Sequence, residues 1–160
     1  MYLNMKKILS ILTILFVLVQ NAYSAGSSGG DSDSSKVKTN YDKAVTLINS
    51  AKKLEKKDKI DKAKKKYEKA QKLLIKSNDK KPNQADTLNY LGFTTRKLGD
   101  YENGEKYYLQ GLAIEPNHKG INEYLGELYV ATNRHNLAVE RLEVLKSCNC
   151  KEYDELKAII

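Results

Sequence analysis

Tryptophan is absent from the 160 residues, and proline, cysteine, histidine, methionine and phenylalanine occur only twice each. Each scarcity excludes something. With only Pro82 and Pro116, long stretches are free of the residue that breaks helices. With only His118 and His135, neither beside a partner at ligand spacing, a histidine-built metal centre is not expected, and both histidines read as turn or cap residues. There is no Gly-x-Ser-x-Gly elbow, no His-Glu-x-x-His and no glycine loop that could cradle a phosphate. The chain is therefore not expected to be an enzyme, and neither a cofactor nor a metal is expected. A long apolar run is missing too: the best one, Ile8 to Val19, contains Ser10 and Thr13 and falls short of the ~20 residues needed to cross a bilayer.

That short run has another reading. Lys6 and Lys7 precede it, and Ala22-Tyr23-Ser24 supplies small residues at alternate positions after it, the pattern of a secretory signal over residues 1–24 with cleavage after Ser24 or, second, after Ala25. An uncleaved anchor is the competing reading. No cysteine follows the run, so a lipoprotein anchor is not indicated. The bias toward Lys, Asn and Ile fits an AT-rich bacterial genome, and export then implies a periplasmic or secreted location. Residues 25–39, AGSSGGDSDSSKVKT, carry too little apolar surface to offset the entropy of ordering and read as a flexible leader.

What the chain has in abundance is periodicity. Residues 85–118 and 119–152 align without a gap at a spacing of 34. Leu91-Gly92 matches Leu125-Gly126, Thr95 matches Tyr129, Gly99-Asp100 matches Asn133-Arg134, Gly104 matches Ala138, and Tyr108 matches Leu142. Glycine inside a helix costs roughly 1 kcal/mol against alanine, so small residues at matching places argue for helices in close contact. Upstream, Ala51 and Leu54 fall at the first-helix places of a more divergent unit, and Ala63, Tyr67 and Ala70 at i, i+4 and i+7 repeat the small-aromatic-small series of the second. Between Ala63 and Gly104 lie 41 residues instead of 34, which predicts a second helix lengthened by about two turns and ending before Pro82. Asp58 stands where glycine is usual in the turn.

These residues resemble the tetratricopeptide repeat, whose pattern is a Leu-Gly pair and an aromatic in the first helix, then small, aromatic and small residues in the second, with proline at its end; Pro116 holds that last place. The resemblance implies an all-α, right-handed α-solenoid of about three helix-turn-helix units, near 44–81, 85–118 and 119–150, with a cap at 151–160 in a domain spanning 40–160. Helices are expected near 40–57, 59–79, 83–97, 101–114, 118–131, 135–147 and 151–159. Tyr153, Leu156 and Ile159 in the last one are expected to cover the open apolar end.

The resemblance further implies a protein or peptide partner, held in a groove lined by the first helix of each unit. By register the groove residues are Ile48, Lys52, Glu55, Asp86, Asn89, Phe93, Arg96, Glu123 and Glu127. Replacing Phe93 and Arg96 by Ala is expected to leave the fold intact and to abolish capture of the partner. A subfamily that grips C-terminal carboxylates uses Lys and Asn at five set places; Ile48, Tyr90, Gly120 and Tyr124 stand at four of them, so that clamp is not expected.

Charge is unevenly placed. Lys52 to Lys81 holds 14 Lys against five acids, whereas residues 85–160 hold nine Lys or Arg against 12 acids. Lys62, Lys64, Lys65, Lys66, Lys69 and Lys72 could meet an acidic partner or an anionic surface, although they read as spread round the helix and equally as an ordinary solvated face. Export argues against nucleic acid. Cys148-Asn149-Cys150 leaves three readings open: a bridge locking the turn before the cap, a soft thiol site for a metal, or a labile redox pair or intermolecular link. The leading functional expectation is a periplasmic adaptor or assembly factor. A redox or metal-handling protein using the cysteine pair, and a self-associating structural subunit, are the alternatives.

Overall fold

The computed structural model describes residues 38–160; the expected signal at 1–24 lies outside them, as does the leader apart from Lys38 and Thr39. Among the described residues seven helices follow one another: α1 Asn40–Glu55, α2 Ile60–Lys80, α3 Ala85–Lys97, α4 Tyr101–Ile114, α5 Lys119–Ala131, α6 His135–Leu145 and α7 Lys151–Lys157. There is no strand among the described residues. Every boundary falls within two residues of the expected one. The helices pair as hairpins, α1 with α2, α3 with α4 and α5 with α6, and each hairpin packs on the next, giving an all-α solenoid of helical repeats closed by α7 against α5 and α6.

The helix ends show why these segments start and stop where they do. Thr39 and Asp42 form a reciprocal capping box at the start of α1. Asp100 accepts from the Asn103 backbone N–H at the start of α4, and the His118 ring accepts from that of Ile121 at the start of α5, so His118 is a cap. Inside each hairpin the chain turns through a left-handed residue: Asp58 at φ 54°, Gly99 at φ 100° and Asn133 at φ 58°. The same backbone bond closes all three turns, from Lys59 N–H to the Leu54 carbonyl, Asp100 to Thr95 and Arg134 to Tyr129. That is the bond of a Schellman stop, and Asp58 adopts it despite not being glycine. The extra residues of the first unit lie in α2, which has 21 residues where α4 has 14.

Packing explains the small residues. On α2, Ala63, Tyr67, Ala70 and Leu74 form one buried face. A Cβ at Gly92 would lie 2.5 Å from the ring of the fully buried Tyr108, so α3 and α4 touch there only because Gly92 has no side chain. At Gly126 the space belongs to the cap: a Cβ would meet Leu156 of α7 at 2.6 Å. Of the three residues expected to cover the end, Leu156 is buried and Tyr153 half-buried, while Ile159 is 46% exposed, because α7 stops at Lys157 and the chain turns away.

Candidate functional site

The first helices α1, α3 and α5 lie side by side, and the nine groove residues expected from register divide into two groups. In the first group the side chains engage one another. Lys52 donates to the Tyr124 hydroxyl at 2.7 Å and lies over the rings of Phe93 and Tyr124, 4.6 and 4.9 Å from their centroids. Burial lowers its ammonium pKa, opposed by the nearby Glu123 and Glu127. Arg96 is ion-paired with Glu127. Glu55 accepts from the Tyr67 hydroxyl at 2.9 Å and pairs with Lys97 at 2.7 Å. Ile48 is fully buried in the core of the first unit.

Phe93 belongs to this group and corrects an expectation. Its ring is 4% exposed, edge-on to Tyr67 at 5.7 Å and tilted against Tyr124 at 4.8 Å. Truncating so enclosed an aromatic costs about 3–5 kcal/mol, so a Phe93→Ala change weakens the fold as well as the groove. The physical reason is that the three units stack closely enough for one unit's aromatic to fill the space between its neighbours.

The second group opens onto solvent. Asp86, Asn89 and Glu123 line a cleft of about 520 Å³ between the start of α3, the start of α5 and the first residues of α7. Its other walls include Tyr90, Glu115, His118, Gly120, Tyr124 and Lys151. His118 faces Asp86, with Nε2 3.2 Å from Oδ1, so the residue that caps α5 also ties it to α3.

Two groups in the cleft are unusual. Asn89 is 5% exposed, and its Oδ1 is buried with no hydrogen-bond partner among the described residues. Gly120 makes room beside it, since a Cβ there would lie 2.8 Å from Asn89 Nδ2. Glu123 is 3% exposed, and its carboxyl pKa is pushed up to about 9 by burial, by a hydrogen bond with Glu155, and by the nearby charges of Glu127, Glu155 and Glu152. The shift favours the protonated, neutral form of Glu123, which lies among the charged Asp86, Lys119, Lys151 and Glu152 of the same cleft.

A larger cleft, about 940 Å³, opens at the edge of α1, α2 and α3 among Lys38, Lys43, Lys80 and Lys81. No buried unpartnered side chain lines it, so the smaller cleft is the stronger candidate. Cys148 and Cys150 are joined by a disulfide, Cα–Cα 5.2 Å, in the turn just before the α7 residues that wall the small cleft. Among the described residues no three His, Cys, Asp or Glu side chains gather as a metal site, and no helix is long and apolar enough to cross a membrane.

Residues 85–118, which are helices α3 and α4 with their turn, match the tetratricopeptide repeat family. The family match covers this one helical hairpin of the chain. Among solved structures the chain is similar to the first tetratricopeptide domain of Spaghetti (RPAP3), bound to the HSP90 peptide SRMEEVD, with 21% identity over 76% of this chain and 93% of that one and a TM-score of 0.48. No curated protein matches the chain.

The repeat register places Asn89 and Glu123 at equivalent positions 34 residues apart, and Tyr90 and Tyr124 likewise. Tyr90, Tyr124 and Gly120 were set aside in the sequence because they do not match a carboxylate clamp. Their shared register was the signal that they face the same space. Lys151 and Glu152 had no such signal, since only the docking of α7 brings them to the cleft.

Proposed function

We propose that this tetratricopeptide repeat domain is a protein-interaction module that takes a segment of a partner protein in the cleft between α3, α5 and α7. The observation that carries the reading is Asn89. A buried amide oxygen left without a partner costs about 1–3 kcal/mol, a cost that makes sense where a ligand supplies the missing donor. A side-chain amide offers one donor and one acceptor face, the complement of a peptide group in an extended main chain. The protonated form of Glu123 favours such a neutral group over a terminal carboxylate, and the tyrosines flanking it offer rings and hydroxyls to the side chains on either side.

The same reading includes the location. The basic start, short apolar run and small residues of 1–24, with a cysteine pair that is bridged, support an exported adaptor or assembly factor working in the periplasm or outside the cell. Cell fractionation tests this; a product found only in the cytoplasm with residues 1–24 still attached contradicts it. The cleft is tested by placing a photoreactive residue at position 119, on its rim, with and without Asn89→Ala. A partner adduct that depends on Asn89 is expected, and an adduct indifferent to Asn89 refutes the site.

A further inference from the structure

Helix α2 carries eight Lys against Asp61, Glu68 and Asp79. In sequence these lysines read as scattered, but Lys62, Lys65, Lys69, Lys72, Lys76 and Lys80 follow one another at intervals of three or four, which places them on one helical face. It is the face opposite Ala63, Tyr67, Ala70 and Leu74, the residues that bury α2 against its neighbours. All six are exposed, and none forms an ion pair among the described residues. From first to last the row is about 27 Å long at 1.5 Å per residue.

Like charges held at i,i+4 repel, so a row of six unpaired lysines is a cost to the isolated helix. We infer that this lysine face of α2 docks the domain on an anionic lipid bilayer. Three observations favour a bilayer over an acidic protein segment. The row contains only lysine, a hydrated point charge, and no arginine to grip a carboxylate or phosphate in a fixed geometry. Of the six, only Lys80 at the end of the row lines either cleft, so Lys62 to Lys76 present an open helix face and not the wall of one of these clefts. Ile75, 44% exposed, borders the row and provides an apolar contact for the headgroup layer. Diffuse negative charge spread over a surface at least as long as the row is the partner that satisfies all three. This docking is independent of the cleft reading, since the two use different helices.

The test uses the full chain, so that the apolar run at Ile8–Val19 is common to every sample. Co-sedimentation is measured with vesicles rich in phosphatidylglycerol and with pure phosphatidylcholine vesicles, for wild type, for Lys65/Lys69/Lys72/Lys76→Gln, and for Lys106/Lys119/Lys146/Lys157→Gln as an equal charge change on the second and third hairpins and the cap, away from the row. At about fivefold per lysine near an anionic surface, the row variant should bind the phosphatidylglycerol vesicles several-hundred-fold more weakly. The control variant should stay close to wild type, and added salt should weaken wild type most. Equal loss in both variants, equal binding to both vesicle types, or binding indifferent to salt overturns the proposal. So does tighter binding to soluble polyglutamate than to the anionic vesicles, which would assign the face to an acidic protein.

Discussion

Asn89 lets function and stability be separated by one substitution. Its Oδ1 is buried without a partner, which costs the free protein about 1–3 kcal/mol of uncompensated desolvation. Among the described residues no hydrogen bond uses its side chain, and it lines an open cleft, so trimming the residue to alanine creates no closed cavity. The loss is the van der Waals contact of a few amide atoms, on the order of 1 kcal/mol. The gain is removal of the orphaned acceptor, and alanine is also the better helix former in the middle of α3 by up to ~0.7 kcal/mol. Asn89→Ala is therefore expected to be as stable as wild type or more stable by about 1–2 kcal/mol, while losing its partner. Urea denaturation followed by circular dichroism measures the first quantity, with an unchanged m-value as the check that the two folded states are comparable. A variant less stable than wild type by more than about 1 kcal/mol would mean that Asn89 supports the fold, and the argument for a vacant ligand position would fail.

Two further outcomes follow from the site and its scaffold. Because the Glu123 pKa is raised from 4.5 to about 9 in the folded chain, between those values the folded state holds a proton that the unfolded state has released, and stability falls as pH rises through that window. Glu123→Gln, a stand-in for the protonated form, should match wild type near pH 4, exceed it at pH 8 by about 1–3 kcal/mol after allowance for solvent screening, and flatten the pH profile; parallel profiles would contradict the buried, protonated carboxyl. Asp58→Gly relieves a left-handed residue at a cost in unfolded-chain entropy, so a net gain of about 0.5–1 kcal/mol in urea midpoint stability is expected, and a loss would show that the Asp58 side chain supports the turn.

How far the sequence carried this reading depended on whether neighbours along the chain or across it decide each feature. The hairpins were legible because Gly92, Gly104, Gly126 and Ala138 recur at the repeat spacing, and small residues at helix crossings admit few alternatives. The lengthened α2 was legible from the seven extra residues before Pro82. The groove was only half legible. Register tells which helix face Lys52, Phe93 and Arg96 occupy, but not that Lys52 reaches Tyr124, 72 residues away, or that Arg96 reaches Glu127, because those contacts depend on how closely successive units stack. The orphaned oxygen of Asn89 was beyond reach for the same reason, since it is defined by what all its neighbours fail to offer. The lysine row is legible in principle, but Lys64 and Lys66 lie off its face and hide it when the lysines are taken together.

The account stands on the cleft, and photocrosslinking in cells is the measurement that reaches it most directly. A photoreactive residue at position 119 should give a partner adduct that disappears with Asn89→Ala, while one at position 143, an exposed place on α6 outside the cleft, should give none. Adducts of the same partner at both positions, or an adduct at 119 that survives Asn89→Ala, would contradict it.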